Sequence, residues 1–232
     1  MFNFNSIQGW LGEKTTQFDL WMQLDGDTYK RFHNLIIQTQ NGTTQIDHVL
    51  VSRFGIFVVE TKNFNGRIYG SENDKYWTQF LGSTKNKFQN PLRQNYKHTK
   101  TLAEQLDIDD SKIHSVVVFV GEAELKTDMP PNVLISGLFT TDLAQYIEQF
   151  KQIVFSDKEL ARLEQKLTEL RNTAVSGNEH VSELKQRYAS NTECPKCGGK
   201  LVDRVSKRGP QKGTKFLGCE NYPKCRYTKQ EA

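Results

Sequence analysis

The chain has 232 residues, 36% hydrophobic and 11% aromatic, which suits one α/β domain plus a small appendage and excludes wholesale disorder. Its longest apolar runs, such as Val116–Val120, are far too short to span a bilayer, and the opening Met1-Phe2-Asn3-Phe4-Asn5 lacks the features of a secretory signal; the expected setting is cytoplasmic, with no membrane partner. The net charge of +4 is uneven: from Cys194 onward there are ten Lys or Arg against three acids, an excess of seven, leaving −3 for everything before it. A basic tail on a slightly acidic body suits a polyanion bound by the tail, with a solvated lysine-rich surface as the alternative that charge leaves open.

In chain order, Trp10, Leu11, Phe18, Leu20, Trp21 and Leu24 fit an imperfect helix over Ser6–Leu24. His33–Gln40 reads as a strand ended by the turn Asn41-Gly42. Gln45–Ser52 and Gly55–Lys62 are β-rich runs joined through Arg53-Phe54-Gly55, a hairpin pattern, and Asn63–Lys75 reads as repeated turns. A helix is expected from Pro91 through Leu106, with proline in its first turn. Ile113–Gly121 is continuously apolar, as in a strand buried on both faces, and Val133–Ser136 is a shorter strand. Helices over Thr141–Gln152 and Asp157–Leu170 precede a polar, partly helical linker.

All four cysteines lie at the C-terminal end, as Cys194-x2-Cys197, 21 intervening residues, then Cys219-x5-Cys225. In a reducing compartment such a cluster points to metal, and four thiolates fill the tetrahedral sphere of a structural Zn²⁺. Strands over Lys200–Val205 and Gly213–Gly218 would complete the module. The segments CPKCGGKLVDRVSKRG and KFLGCENYPKCRYTK resemble the C-terminal four-cysteine zinc fingers of bacterial type IA DNA topoisomerases, which implies binding of single-stranded DNA. Lys207, Arg208, Lys212 and Lys215 suit phosphate contacts, and Tyr222 and Tyr227 suit base stacking, whereas Phe216 is expected to pack the module's own core.

Asp47 on the first hairpin strand stands near Glu60 and Lys62 on the second, and the last two, spaced by two, share a face. Two carboxylates with a backbone carbonyl, here that of Thr61, suit Mg²⁺, and a neighbouring lysine suits orientation of an attacking water. On spacing alone a solvated strand-end pair fits equally. The segments Gly12-Glu13, QIDHVLVSRFGIFVVETKNFNGRIYG and QNPLRQNYKHTKTL resemble the nuclease-related domain (NERD) family of the PD-(D/E)XK superfamily. That resemblance implies Glu13, Asp47, Glu60 and Lys62 as a catalytic set, with Asn90 and Gln94 in a further polar motif. Glu13 also fits a first-turn acid, Asn90 a helix cap and Gln94 a surface group. Gln45 shares the face of Asp47, His48 faces away, and His33, His98, His114 and His180 show no ligand-like spacing.

The resulting expectation is an α/β fold, a restriction-endonuclease-like mixed sheet flanked by helices, with a small zinc-ribbon-like module behind it. Residues 1–170 would form the nuclease-related domain, 171–192 a linker and 193–232 the finger. The expected activity is Mg²⁺-dependent hydrolysis of DNA, single-stranded or partly opened. A non-catalytic DNA-binding adaptor that keeps the fold, and a nuclease of RNA, remain the alternatives.

Overall fold

The computed structural model describes residues 24–39, 42–136, 142–207 and 212–230. The helix expected from Ser6 (except Leu24), Gln40, the Asn41 half of the turn, Glu13, Thr141 and Arg208 lie outside the described residues. The chain divides into two compact units: the described residues up to Leu35 with Gln45–Thr173, and Ile36–Thr44 with the described residues from Ala174 onward.

The strands are β1 (Lys30–Thr39), β2 (Gly42–Ser52), β3 (Gly55–Asn63), β4 (Gly66–Tyr69), β5 (Tyr76–Leu81) and β6 (Thr84–Gln89); after helix α1 (Pro91–Leu106) come β7 (Ile113–Val120), β8 (Ala123–Leu125) and β9 (Val133–Ile135). Helices α2 (Asp142–Glu148), α3 (Asp157–Thr173) and α4 (Gly177–Ala189) follow, then β10 (Leu201–Val205), β11 (Lys215–Cys219) and β12 (Thr228–Gln230). One sheet has the order β1-β2-β3-β7-β9, with β2 antiparallel to β3 and β3, β7 and β9 parallel. A second has the order β6-β5-β4-β8. This is a mixed α/β architecture.

The apolar run of β7 is continuous because both of its faces are covered. Val116, Val118 and Val120 join Phe57, Val59 and α2 residues Leu143 and Ile147 in one cluster, while Val117 and Phe119 join Ile68, Trp77 and Val133 in another. Each such side chain contributes about 1.5–3 kcal/mol by leaving water. Helix α1 is pinned to the sheet by Asn95, whose buried amide donates to the carbonyls of Val58 (2.8 Å) and Val116 (3.0 Å) and to Ser115 Oγ (2.9 Å). The β2–β3 turn depends on Gly55, held at φ 138°, where a Cβ would meet His114 Nε2 at 2.7 Å.

Several local readings change. The stretch taken as repeated turns contains β4, and β5, β6 and β8 form where no strand was expected. Helix α2 ends at Glu148, short of Gln152, and α3 runs on to Thr173. The polar linker is helical in part, as expected, through α4, which opens with a capping box between Ser176 and Glu179. In the second unit α4 holds the hairpin tip: His180 Nδ1 lies 2.6 Å from Thr43 Oγ1, which donates to Glu183 Oε2 at 3.0 Å. The α4 C-terminus is capped by Lys229, whose Nζ donates to the carbonyls of Tyr188, Ala189 and Ser190 at 2.7–3.3 Å. Strands β10, β11 and β12 form an antiparallel sheet beside the cysteines. Among the described residues no helix is long and apolar enough to cross a membrane.

Candidate functional site

Strand β3 presents Glu60, buried to 2% exposure, and the half-buried Lys62 on one face, as period-two alternation requires. Lys62 Nζ donates to Glu60 Oε1 at 2.5 Å and to Gln94 Oε1, from α1, at 3.1 Å. The β2–β3 ladder is registered through His48↔Val59, and just past it the Asp47 carboxylate accepts the backbone N–H of Thr61 at 2.9 Å. Asp47, Glu60, Thr61, Lys62 and Gln94 therefore converge, from two strands and a helix.

A sixth group has no sequence motif of its own. His98 Nδ1 lies 3.4 Å from Glu60 Oε2, an ion-pair separation outside hydrogen-bond geometry. Burial pushes the Glu60 carboxyl up, yet Lys62 and His98 together outweigh burial and hold it below the ordinary value. The one available signal was the i, i+4 spacing of Gln94 and His98, which puts both on one helix face.

Other expected polar groups have different work. Gln45 Nε2 donates to Asn34 Oδ1 at 3.1 Å. His48 is buried, with its Nδ1 2.8 Å from Nδ1 of His33. Asn90 caps α1, accepting Leu92 N at 2.9 Å, and its amide donates to the carbonyls of Ser71, Glu72 and Asp74 at 2.7–3.2 Å.

A cation fits this donor set in kind. Carboxylate and carbonyl oxygens suit a hard divalent ion, and Glu60 Oε2 is a buried anionic oxygen without a hydrogen bond from any described residue.

The second cluster is sulfur. Sγ atoms of Cys194, Cys197, Cys219 and Cys225 all lie within 4.8 Å of one another. Cys194 pairs with Cys225 at 3.6 Å and Cys197 with Cys219 at 3.3 Å, each pair joining the two halves of the motif. Four soft ligands this close suit structural Zn²⁺. Burial works against Cys197 ionising, but the Gly199 N–H and the Asn221 amide overcome it and bring the thiol down to about 6. Leu217 and Tyr227 pack on the cluster, so the core role expected of Phe216 falls to its neighbour on the opposite face of β11. Tyr222 is 60% exposed with Arg204 over its ring, and Lys207, Lys212 and Lys215 are exposed.

A mixed α/β unit with an acid–acid–lysine cluster at a strand end, joined to a four-cysteine ribbon, defines a class of nucleic-acid-directed protein. The chain belongs to the nuclease-related domain (NERD) family, whose model matches residues 8–120, and it carries the topoisomerase DNA-binding C4 zinc finger over residues 191–232. It is 37% identical to an uncharacterised protein of Bacillus anthracis over 157 residues, 67% of this chain and 73% of that protein. The finger region is 40% identical over 55 residues to DNA topoisomerase 1 of Helicobacter pylori, spanning 24% of this chain and 7% of the topoisomerase. It is also 50% identical over 40 residues to the uncharacterised protein YrdD of Escherichia coli, 17% of this chain and 19% of that one. No solved structure matches significantly.

Proposed function

We propose that the chain hydrolyses phosphodiester bonds of DNA with Mg²⁺, and that its zinc ribbon holds the DNA, single-stranded or partly opened. The observation that carries this reading is the convergence of Asp47 and Glu60 with a lysine held by both Glu60 and Gln94. Asp47, Glu60 and the Thr61 carbonyl would hold the metal, with Glu13 a further ligand. Bound there, Mg²⁺ polarises a phosphate oxygen and makes a coordinated water more acidic. Lys62 would orient an attacking water toward phosphorus and offset charge on the phosphoryl oxygens, with Gln94 fixing the direction of its Nζ. The P–O bond to the leaving oxygen breaks as the bond from water forms, and the proton that the water gives up ends, through solvent, on the leaving oxygen.

In the second unit, Lys207, Arg208, Lys212 and Lys215 would contact phosphates and Tyr222 would stack on a base. Tyr227 would offer only the edge its packing leaves open. Residues 1–170 act as the nuclease body, 171–192 as connector and 193–232 as finger, the tether raising the local concentration of DNA at the cluster.

One observation favours the non-catalytic adaptor instead: Glu60 is already ion-paired with Lys62 at 2.5 Å without a further cation. Labelled DNA and RNA strands incubated with and without added Mg²⁺, beside Asp47→Asn, separate the readings. Mg²⁺-dependent cleavage of DNA that Asp47→Asn abolishes supports the nuclease. Binding with no cleavage under any metal condition supports the adaptor, and preference for RNA moves the substrate class.

A further inference from the structure

From Lys75 to Ala103 the chain has six Lys or Arg and no Asp or Glu, although the body of the protein is slightly acidic. Much of this stretch is β5, β6 and their turn. With β4 these strands form a sheet whose inner face carries Ile68, Trp77 and Phe88 into the core. The cross-strand register Arg67↔Phe80↔Lys85 and Tyr69↔Thr78↔Lys87 puts the alternate residues together on the outer face, with Tyr76 at its end. Arg67 Cζ lies 6.0 Å and Lys85 Nζ 5.5 Å from the centre of the Phe80 ring, Tyr69 meets that ring edge-on at 5.4 Å, and Lys75 Nζ lies 5.2 Å from the ring of Tyr76. Glu124, opposite Arg67 on β8, is ion-paired to Lys126 at 2.7 Å. The outward residues of β4, β5 and β6 include no acid.

We infer that this outer face, Arg67, Tyr69, Tyr76, Phe80, Lys85 and Lys87, is a binding platform for single-stranded nucleic acid, distinct from the zinc ribbon. Cations spaced among open aromatic rings on a sheet offer both elements such strands need: phosphate neutralisation and faces for stacking bases. The charge is complementary to a polyanion, and Tyr76, 49% exposed, is the most open of the rings. Sheet residues hold these groups in fixed register, which favours an extended strand over a duplex. Strand β4 follows β3 after two residues, so the platform adjoins the strand that carries Glu60 and Lys62.

The test is binding by the full chain of fluorescein-labelled oligo-dT without added Mg²⁺, so that its outcome is independent of cleavage. Lys85→Glu with Lys87→Glu is expected to weaken binding about tenfold and, at about 0.7 per phosphate contact, to reduce the slope of log affinity against log salt by about 1.4. Tyr76→Ala should weaken binding several-fold at unchanged slope. Lys151→Glu with Lys158→Glu, exposed lysines of the same unit, should change neither. Wild-type affinity and slope in the first pair, or an equal loss in the control pair, would overturn the inference. Independently of any variant, ultraviolet crosslinking to bromodeoxyuridine strands should mark peptides containing Tyr69 or Tyr76–Phe80, and crosslinks confined to the ribbon would contradict it.

Discussion

Lys62 Nζ and Glu60 Oε1 are 2.5 Å apart near the C-terminal end of β3, where its burial gives way, and the other oxygen of the same carboxylate faces His98 at 3.4 Å. One buried carboxylate thus faces both the lysine ammonium and the imidazole. Truncating it, as in Glu60→Ala, leaves Lys62 and His98 facing an apolar hole and is expected to cost about 3–5 kcal/mol. Lys62→Met leaves the more deeply buried carboxylate without its lysine partner and should cost at least as much. Urea unfolding of both variants checks the order; equal stability for Glu60→Ala and wild type would show that the buried charges do not depend on each other.

Asn90 joins α1 to the loop before β5 through one accepted and three donated hydrogen bonds. Asn90→Ala is expected to destabilise by about 2–4 kcal/mol, cap and donors together. Asn90→Asp keeps the cap acceptor but sets a buried carboxylate oxygen against three carbonyl oxygens, so its denaturation midpoint should fall to that of alanine or below.

What was legible in the sequence follows from how local each signal is. Glu60 and Lys62 lie two apart in an unbroken β-run, so strand geometry alone puts them together, and the cysteine spacing likewise closes on itself. His98 reaches Glu60 from a helix 38 positions later, a contact created by Asn95 docking α1 on β3 and β7. Strands β4, β5 and β6 were obscured for a different reason. Their inner residues Ile68, Trp77 and Phe88 alternate with Tyr69, Tyr76 and Phe80, aromatic residues on the outer face, which blurs the period-two contrast. Phe216 and Leu217 are adjacent apolar residues of one strand, and only the fold decides which faces the cysteines.

His114 packs against Phe150 and Phe57, with ring centroids 4.0 and 5.0 Å away, and burial lowers its proton affinity below the ordinary 6.5 despite a hydrogen bond to the Phe54 backbone. Between the lowered folded value and 6.5 the unfolded chain binds more protons, so stability falls as pH drops through that window and levels off below it. Thermal midpoints between pH 7.5 and 5 should decline more steeply in wild type than in His114→Gln. Parallel curves would show that this histidine does not titrate differentially.

Removing a thiolate from the four-sulfur cluster should release the zinc and with it the ribbon, since metal binding supplies much of the folding free energy of so small a module. Cys219→Ser is expected to lose stoichiometric zinc and to weaken binding of single-stranded DNA about tenfold or more. The thermal transition of the nuclease-related unit should persist. Zinc content by elemental analysis, read beside calorimetry, checks both halves.

The most direct test of the account is single-turnover cleavage of end-labelled single-stranded, forked and duplex DNA by wild type and Lys62→Ala, with Mg²⁺ added or withheld and binding measured on the same samples. Wild type should cleave only with Mg²⁺, and Lys62→Ala should be slowed about 10²–10³-fold while DNA binding is retained. Cleavage by Lys62→Ala at the wild-type rate, or tight binding by wild type with no metal-dependent cleavage of any of the three substrates, would contradict the proposed activity.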